Sequence, residues 1–343
     1  VIPLVDLTGG PAELGLQHGR ARRADLRAFL DDGLTRLDQL LPHPVPLARL
    51  RPLIERYRDE IAPAVPQLAE EVAGLARGAG ISETEAWLLQ LRRELLGYQK
   101  VPTAGDCTTY ARAGSEEAVL AQTVDLVGNL DDVIAVLRIS PAEGHRMLVL
   151  SFGGLLGYLG VNSAGLAVGI NLVLGGDWQP GVPPYLAVRH VLQRAANVVE
   201  ALAVLRELNL AGSRSISLCD ARGTAWVEFL DGEAGVHQGP QHVHANHFLH
   251  AAFQDRDELN VFARNSSLRR HRACSEALAA LAPDCSPEQH FELLSRPPIL
   301  VPDHGEIRRE RTVAAAVLLP GRGELHVRRG DPSRSTTTVF RLP

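Results

Sequence analysis

Hydrophobic periodicity changes character at one place in this chain, the stretch GDCTTYA that holds Cys107, and that switch constrains the fold more than any other feature. Upstream the spacing is helical. An edge-strand candidate over residues 1–10 ends in Gly9-Gly10, and PAELGLQHGRARRADLRAFLDDGLTRLDQLL then reads as helix, with Leu14, Leu26, Leu30, Leu34 and Leu37 at roughly helical spacing. The prolines of LPHPVP end it. Two more helical segments follow, over about 47–61 and 65–77. A fourth starts at Ser82, where Glu85 completes a capping box ahead of Trp87, Leu88, Leu91, Leu95 and Tyr98, and Val101-Pro102 stops it.

Downstream of Cys107, AVLAQTVDL, VIAVLRI, HRMLVLSF and GLAVGINLV are short β-branched runs separated by turn-forming segments. PYLAVRHVLQRAA and NVVEALAVLREL restore helical spacing, RSISLCD and TAWVEFL read as strands, HVHANHF follows without an assigned element, and helices are expected over about 266–281 and from Ser286, with Gln289 in a capping-box position. RTVAAAVLLP, GELHVRRG and TTTVFRL close the chain as strands. Blocks of strands and blocks of helices do not alternate as βαβ units. The pattern predicts an α+β protein with mainly antiparallel sheets and helices on their outer faces. No dinucleotide fingerprint opens a helix after a strand, which disfavours a doubly wound domain.

With 343 residues, 45% of them apolar and 22% charged, and a net charge of -5, the chain is read as one globular unit over 1–343. The arginine clusters near Arg20, Arg269 and Arg308 are short and interleaved with other residues, so no nucleic-acid surface is expected. No run approaches the length of a membrane span, and VIPLVDLTGG lacks a basic region followed by an apolar run, so a cytoplasmic protein without a membrane partner is expected. Of the four cysteines, Cys219, Cys274 and Cys285 read as small buried or loop residues. Cys107 differs, with Gly105 and Asp106 before it and Thr108 and Thr109 after it.

A thiol is readily ionised and intrinsically nucleophilic, but a cysteine nucleophile still needs a base. No histidine sits in a cysteine-protease context. If the bond between Asp106 and Cys107 is cut, Cys107 gains an α-amine, with a reference pKa near ~8, that could take the thiol proton. A thiol attacking the preceding carbonyl, followed by hydrolysis of the resulting thioester, would make that cut.

TAGDCTTYARAGSEEAVLAQTVDL, GYLGVNSAGLAVGINLV, GVPPYLAVRHVLQ, HVHANHFL and NSSLRR, with LGLQHGRARR near the start, resemble in that order the acyl-CoA:6-aminopenicillanate acyltransferase family of N-terminal-nucleophile hydrolases, peptidase family C45. The resemblance implies a four-layer αββα fold and a precursor cut before the cysteine into a helical segment, 1–106, and a larger one, 107–343, that stay associated. It implies that Cys107 is the nucleophile, Asp125 the acid that orients the α-amine, Asn246 the oxyanion-hole donor and Thr109 a hydroxyl tied to processing. The familiar cut in the family is at Gly-Cys, whereas here Asp106 precedes the cysteine.

Tyr110, Phe152 and Tyr158, with Leu155 and Leu156, are candidates for an acyl pocket, and Arg138 and Arg269 for binding a carboxylate or bracing Asp125. The competing reading for each is ordinary core or solvated surface. His242, His244, His247 and His250 form a rival zinc cluster, but lack characteristic ligand spacing. Nothing marks a CoA phosphate cradle, which favours hydrolysis over acyl transfer, and no cofactor is expected. The leading expectation is an amide hydrolase that forms a thioester with a small acylated amine. Acyl transfer to a small amine is the alternative, and an unprocessed binding homologue is a third reading motivated by Asp106.

Overall fold

The computed structural model describes residues 1–97, 107–114 and 117–343. Two stacked sheets form its centre. The larger has eight strands in the order β1 (Leu4–Gly9), β4 (Ile134–Pro141), β5 (Met147–Phe152), β6 (Leu159–Asn162), β7 (Ala167–Leu172), β8 (Arg214–Cys219), β9 (Thr224–Leu230) and β10 (Glu233–Gly239). The smaller has six, in the order β11 (Gln241–His244), β2 (Cys107–Arg112), β3 (Val119–Leu126), β12 (Arg311–Leu319), β13 (Glu324–Arg329) and β14 (Thr338–Arg341). Neighbouring strands are antiparallel except β1 on β4. The inner faces meet where β2 and β3 lie against β7 and β8.

Each sheet buries its outer face under helices. The amphipathic α7 (Pro184–Arg194) and α8 (Val198–Arg206) cover the larger sheet, and α9 (Val261–Ala280) and α10 (Pro287–Leu294) cover the smaller. The result is the expected αββα layering. Strands β6 and β10 had no clear sequence signal: β6 has only four residues, and β10 is largely exposed.

The N-terminal third is helical, but its first stretch is divided. It comprises α1 (Pro11–Ala21), α2 (Arg23–Asp31) and α3 (Gly33–Leu40), followed by α4 (Leu47–Ala64), α5 (Pro66–Ala79) and α6 (Glu83–Leu96). Ser82 and Glu85 form the expected capping box on α6. Its expected stop at Val101-Pro102 lies outside the described residues, and α6 ends at Leu96.

The division at α3 has a specific backbone cause. Gly33, Leu34, Thr35 and Arg36 all have positive φ, between 53° and 64°, so the chain makes a left-handed turn there. For Thr35, whose β-branched side chain resists that region, such a conformation persists only when its surroundings enforce it. Arg36 supplies that constraint, donating to the carbonyls of Gly128 and Asn129 at 2.7 and 2.9 Å and to both oxygens of Asp132.

Helices α1 and α5 meet backbone to backbone through Gly15 and Gly19 on one and Gly74 and Gly78 on the other. A Cβ at Gly15 would fall 1.9 Å from the carbonyl oxygen of Glu71, and one at Gly78 would fall 2.2 Å from that of Leu16. The N-terminal third is also built into the remainder. Strand β1 adds to the larger sheet, Glu71 on α5 pairs with Arg189 on α7 at 3.1 Å, and one hydrophobic core runs from Ile2 to Phe340.

Candidate active site

Cys107 opens β2, in register with Val124 of β3, and is 1% exposed. Alternation along β2 separates its side chains: Cys107 and Thr109 face one way, and Thr108 and Tyr110 the other. Thr109 is buried towards Gly169 of β7, between the sheets, and its hydroxyl has no hydrogen-bond partner among the described residues. Thr108 faces α9.

The backbone of Cys107 is held at both ends. Its N–H donates to Asn246 Oδ1 at 3.4 Å. Its carbonyl accepts from Arg270 at 2.7 Å and from Asn171 Nδ2 at 3.2 Å. Arg270 is fully buried on α9 and also donates to Thr108 Oγ1 at 3.0 Å and to Asn246 Oδ1 at 2.6 Å. Asn246 Nδ2 donates to the Leu172 carbonyl at 2.9 Å, and its backbone N–H donates to Ser267. Three elements distant in sequence therefore converge on one residue: β7 through Asn171, the loop after β11 through Asn246, and α9 through Arg270.

Asp125 is buried one residue beyond Val124 on β3. Thr312 Oγ1 donates to its Oδ1 at 2.6 Å, and Thr123 Oγ1 to its Oδ2 at 3.4 Å. The same Thr123 hydroxyl accepts from the Thr108 N–H at 3.2 Å, so the hydroxyl links the carboxylate to β2.

Tyr158 Oη lies 3.6 Å from Cys107 Sγ. The Tyr158 ring meets Phe152 edge to face at 5.2 Å and stacks on Tyr185 at 5.5 Å. These rings and Leu155 line a cavity with Leu126, Leu130, Arg92 and Glu310. Phe152, Leu155 and Tyr158 are thus brought together as the sequence suggested, whereas Leu156 is buried outside the lining.

The other candidates lie elsewhere. Tyr110 points away from Cys107, as alternation requires, and its hydroxyl is 2.7 Å from His290 Nδ1. Arg138 pairs with Asp6 across the β1–β4 edge at 2.5 Å. Arg269 is exposed on α9; its neighbour Arg270 is the one that reaches the site, because Ala263, Ser267, Arg270, Cys274 and Leu278 form the buried stripe of that helix. Asp106 lies outside the described residues.

Three of the four clustered histidines are engaged by protein partners, whereas His250 Nδ1 is buried without a hydrogen-bond partner among the described residues. His242 bonds Thr224 and Ser217, His244 bonds Glu228 and the Ala245 carbonyl, and His247 bonds Ser267. Burial lowers the pKa of His242 and of His247 to about 3, with nearby histidines adding to the shift. No group of three or more potential metal-ligating residues converges among the described residues.

All four cysteines are buried and none is in a disulfide. Burial raises the thiol pKa of Cys219, pushes that of Cys274 to about 12 and raises that of Cys285. Cys285 lies 3.2 Å from His290 Nε2, a contact with the look of a nucleophile–base pair. Burial, followed by the positive charge of Arg112, lowers the His290 pKa to about 4 and makes it a poor base.

Similarity to known proteins agrees with this architecture. The family model for acyl-coenzyme A:6-aminopenicillanic acid acyl-transferase matches residues 112–334, beginning at the last residue of β2. The 40 kDa form of acyl-coenzyme A:6-aminopenicillanic-acid-acyltransferase from Emericella nidulans is 27% identical over 267 residues, covering 75% of this chain and 72% of that protein. Penicillin V acylase from Agrobacterium tumefaciens has a similar fold, with a TM-score of 0.51 and 16% identity over 69% of this chain and 86% of that one. A single-substitution variant of conjugated bile acid hydrolase from Clostridium perfringens aligns with a TM-score of 0.50 and 10% identity over 69% of this chain and 97% of its own.

Proposed function

Because the chain belongs to the acyl-coenzyme A:6-aminopenicillanic acid acyl-transferase family, we propose that it is a self-processed cysteine amidohydrolase with Cys107 as nucleophile. The observation that carries this reading is the convergence of Asn171, Asn246 and Arg270 on the backbone of Cys107, a residue whose thiol lies beside an aromatic cavity. A cysteine serving only as core packing needs no such network.

In processing, the thiol attacks the carbonyl of Asp106 and the peptide nitrogen becomes the amine of Cys107. Water then hydrolyses the thioester, leaving a carboxylate on Asp106. Residues 1–106 and 107–343 remain together through β1 on β4 and through the Glu71–Arg189 pair.

In turnover, the α-amine takes the thiol proton and the thiolate attacks the amide carbonyl of a small acylated substrate. Asp125, oriented by Thr123 and Thr312, holds the resulting ammonium. Arg270 fixes the Oδ1 end of Asn246 and the Leu172 carbonyl takes one N–H of its Nδ2, so the second N–H of that amide is the donor to the oxyanion. The amine product leaves with a proton from the ammonium, and water releases the acid from the thioester. Thr109 lies on the face of β2 that carries the thiol and acts in processing.

Transfer of the acyl group to an amine is the second reading, favoured by the similarity to the Emericella nidulans acyltransferase. Both outcomes pass through the same thioester. No helix among the described residues is long and apolar enough to cross a membrane, and four cysteines held as thiols suit the reducing cytoplasm proposed as its location. Incubation with a panel of N-acyl amines, with and without a competing amine, tests the function: free acid as the main product supports hydrolysis, and a new amide supports transfer. Failure to acylate Cys107 with any amide, followed by mass spectrometry, removes both.

A further inference from the structure

Strands β7, β8 and β9 set Asn171, Ser215 and Glu228 directly opposite one another, so their side chains form one row on the inner face of the larger sheet. Asn171, at one end of the row, donates to the Cys107 carbonyl. Glu228, at the other end, is fully buried. His244 of β11, also fully buried, meets it from the smaller sheet, with Nε2 2.7 Å from Glu228 Oε1. Two ionisable groups are costly to bury unless they are paired and hydrogen-bonded, and neither has a part in the chemistry described so far.

The surroundings fix where the protons lie. Glu228 Oε1 accepts from the Leu249 N–H at 2.7 Å, and Oε2 accepts from the His250 N–H at 2.9 Å. Two backbone donors favour the charged carboxylate over the acid. His244 Nδ1 lies 2.9 Å from the Ala245 carbonyl, which can only accept, so that nitrogen carries a hydrogen. With a carboxylate against Nε2, the second nitrogen carries one too, and the ring is a cation. Its neighbours yield to that charge. His242 on the same strand, His247 in the next loop and His271 on α9 all have lowered pKa values, from burial first, with the charge of His244 among the further causes.

We propose that Glu228 and His244 form a buried carboxylate–imidazolium pair that clamps the loop over 245–250 and so aims Asn246 at the oxyanion. His244 holds Ala245, just before Asn246, and Glu228 holds Leu249 and His250, just after it. Ser267 and Asp257 take the backbone N–H groups between, those of Asn246, His247 and Phe248. Both members of the pair are positioning residues, acting on the reaction through Asn246. Their effect on turnover rests on the Cys107 reading, whereas the ionised pair and its grip on the loop rest on the geometry alone.

Nitrogen-15 labelling of histidine in the wild-type protein reads the pair without any variant. At about pH 8, above the ~6.5 of an ordinary imidazole, the His244 ring should still carry hydrogens on both nitrogens, and a neutral ring there overturns the proposal. In turnover of an N-acyl amine, Glu228→Gln should lower kcat by about tenfold or more with KM little changed, because the aim of an oxyanion donor matters in the transition state. In an Asn246→Ala background the same substitution should cost no more than about twofold, since its route to the reaction is already gone. An unchanged kcat in Glu228→Gln, or a full repeat of its loss beside Asn246→Ala, overturns the positioning role and leaves Cys107 in place. Amide hydrogen exchange reads the grip without turnover: Glu228→Gln should speed exchange at Leu249 and His250 while the rest of β9 keeps its protection. Faster exchange at those two residues in a protein that hydrolyses no amide supports the clamp and removes the Cys107 reading instead. Unchanged exchange there overturns the clamp.

Discussion

Arg270 donates to the side-chain oxygen of Asn246 at 2.6 Å and, through its other terminal nitrogen, to the Cys107 carbonyl at 2.7 Å. One rigid planar group therefore sets the distance between the proposed nucleophile and its proposed oxyanion donor. The guanidinium is fully buried, so water cannot replace these contacts.

Arg270→Lys should lower kcat by about 100-fold, because a single ammonium cannot span acceptors arranged for a planar fork. Asn246→Ala should cost roughly 10²–10³ in kcat, the scale of losing one oxyanion donor. Steady-state kinetics on processed protein checks both. Unchanged kcat in either variant contradicts the assigned role.

Gly74→Ala should destabilise the protein by about 1–3 kcal/mol, the range for forcing extra volume into close packing. Its Cβ would fall 2.4 Å from the Ala12 carbonyl, where backbone faces backbone and no side chain can yield. Urea unfolding measures the loss. A neutral Gly74→Ala substitution would show that α1 and α5 do not pack this closely.

Stability should fall as pH drops from about 6.5 towards 4. His18 and His290 are each lowered to about 4, chiefly by burial, so the unfolded chain binds protons in this window that the folded protein refuses. Their contribution is present above the unfolded pKa and is lost as pH falls towards the folded value. His290→Gln should flatten the slope of unfolding free energy against pH by up to about 1.4 kcal/mol per pH unit. Denaturant melts at a series of pH values read that slope, and an identical slope in the variant contradicts the assignment.

Much of this architecture was legible because burial imposes period. The strand blocks after Cys107, the capping box at Ser82 and the outer helices all follow from where apolar residues recur. The same logic separates Tyr110 from Cys107 by strand alternation and selects Arg270 over Arg269 by helix phase. Asn171 had a weaker signal, a lone amide inside the apolar run GINLV. The turn over 33–36 had almost none: Leu34, Thr35 and Arg36 prefer ordinary helix, and contacts from Arg36 to residues 128–132 override that preference.

The central claim is that Cys107 becomes an N-terminal nucleophile, and intact-mass analysis with N-terminal sequencing of purified protein tests it directly. The account predicts two co-purifying fragments, one ending at Asp106 and one beginning at Cys107, with Cys107→Ala remaining a single chain. Wild-type protein that stays uncleaved yet hydrolyses amides would contradict it, because the nitrogen of Cys107 would still be locked in a peptide bond and could not act as a base.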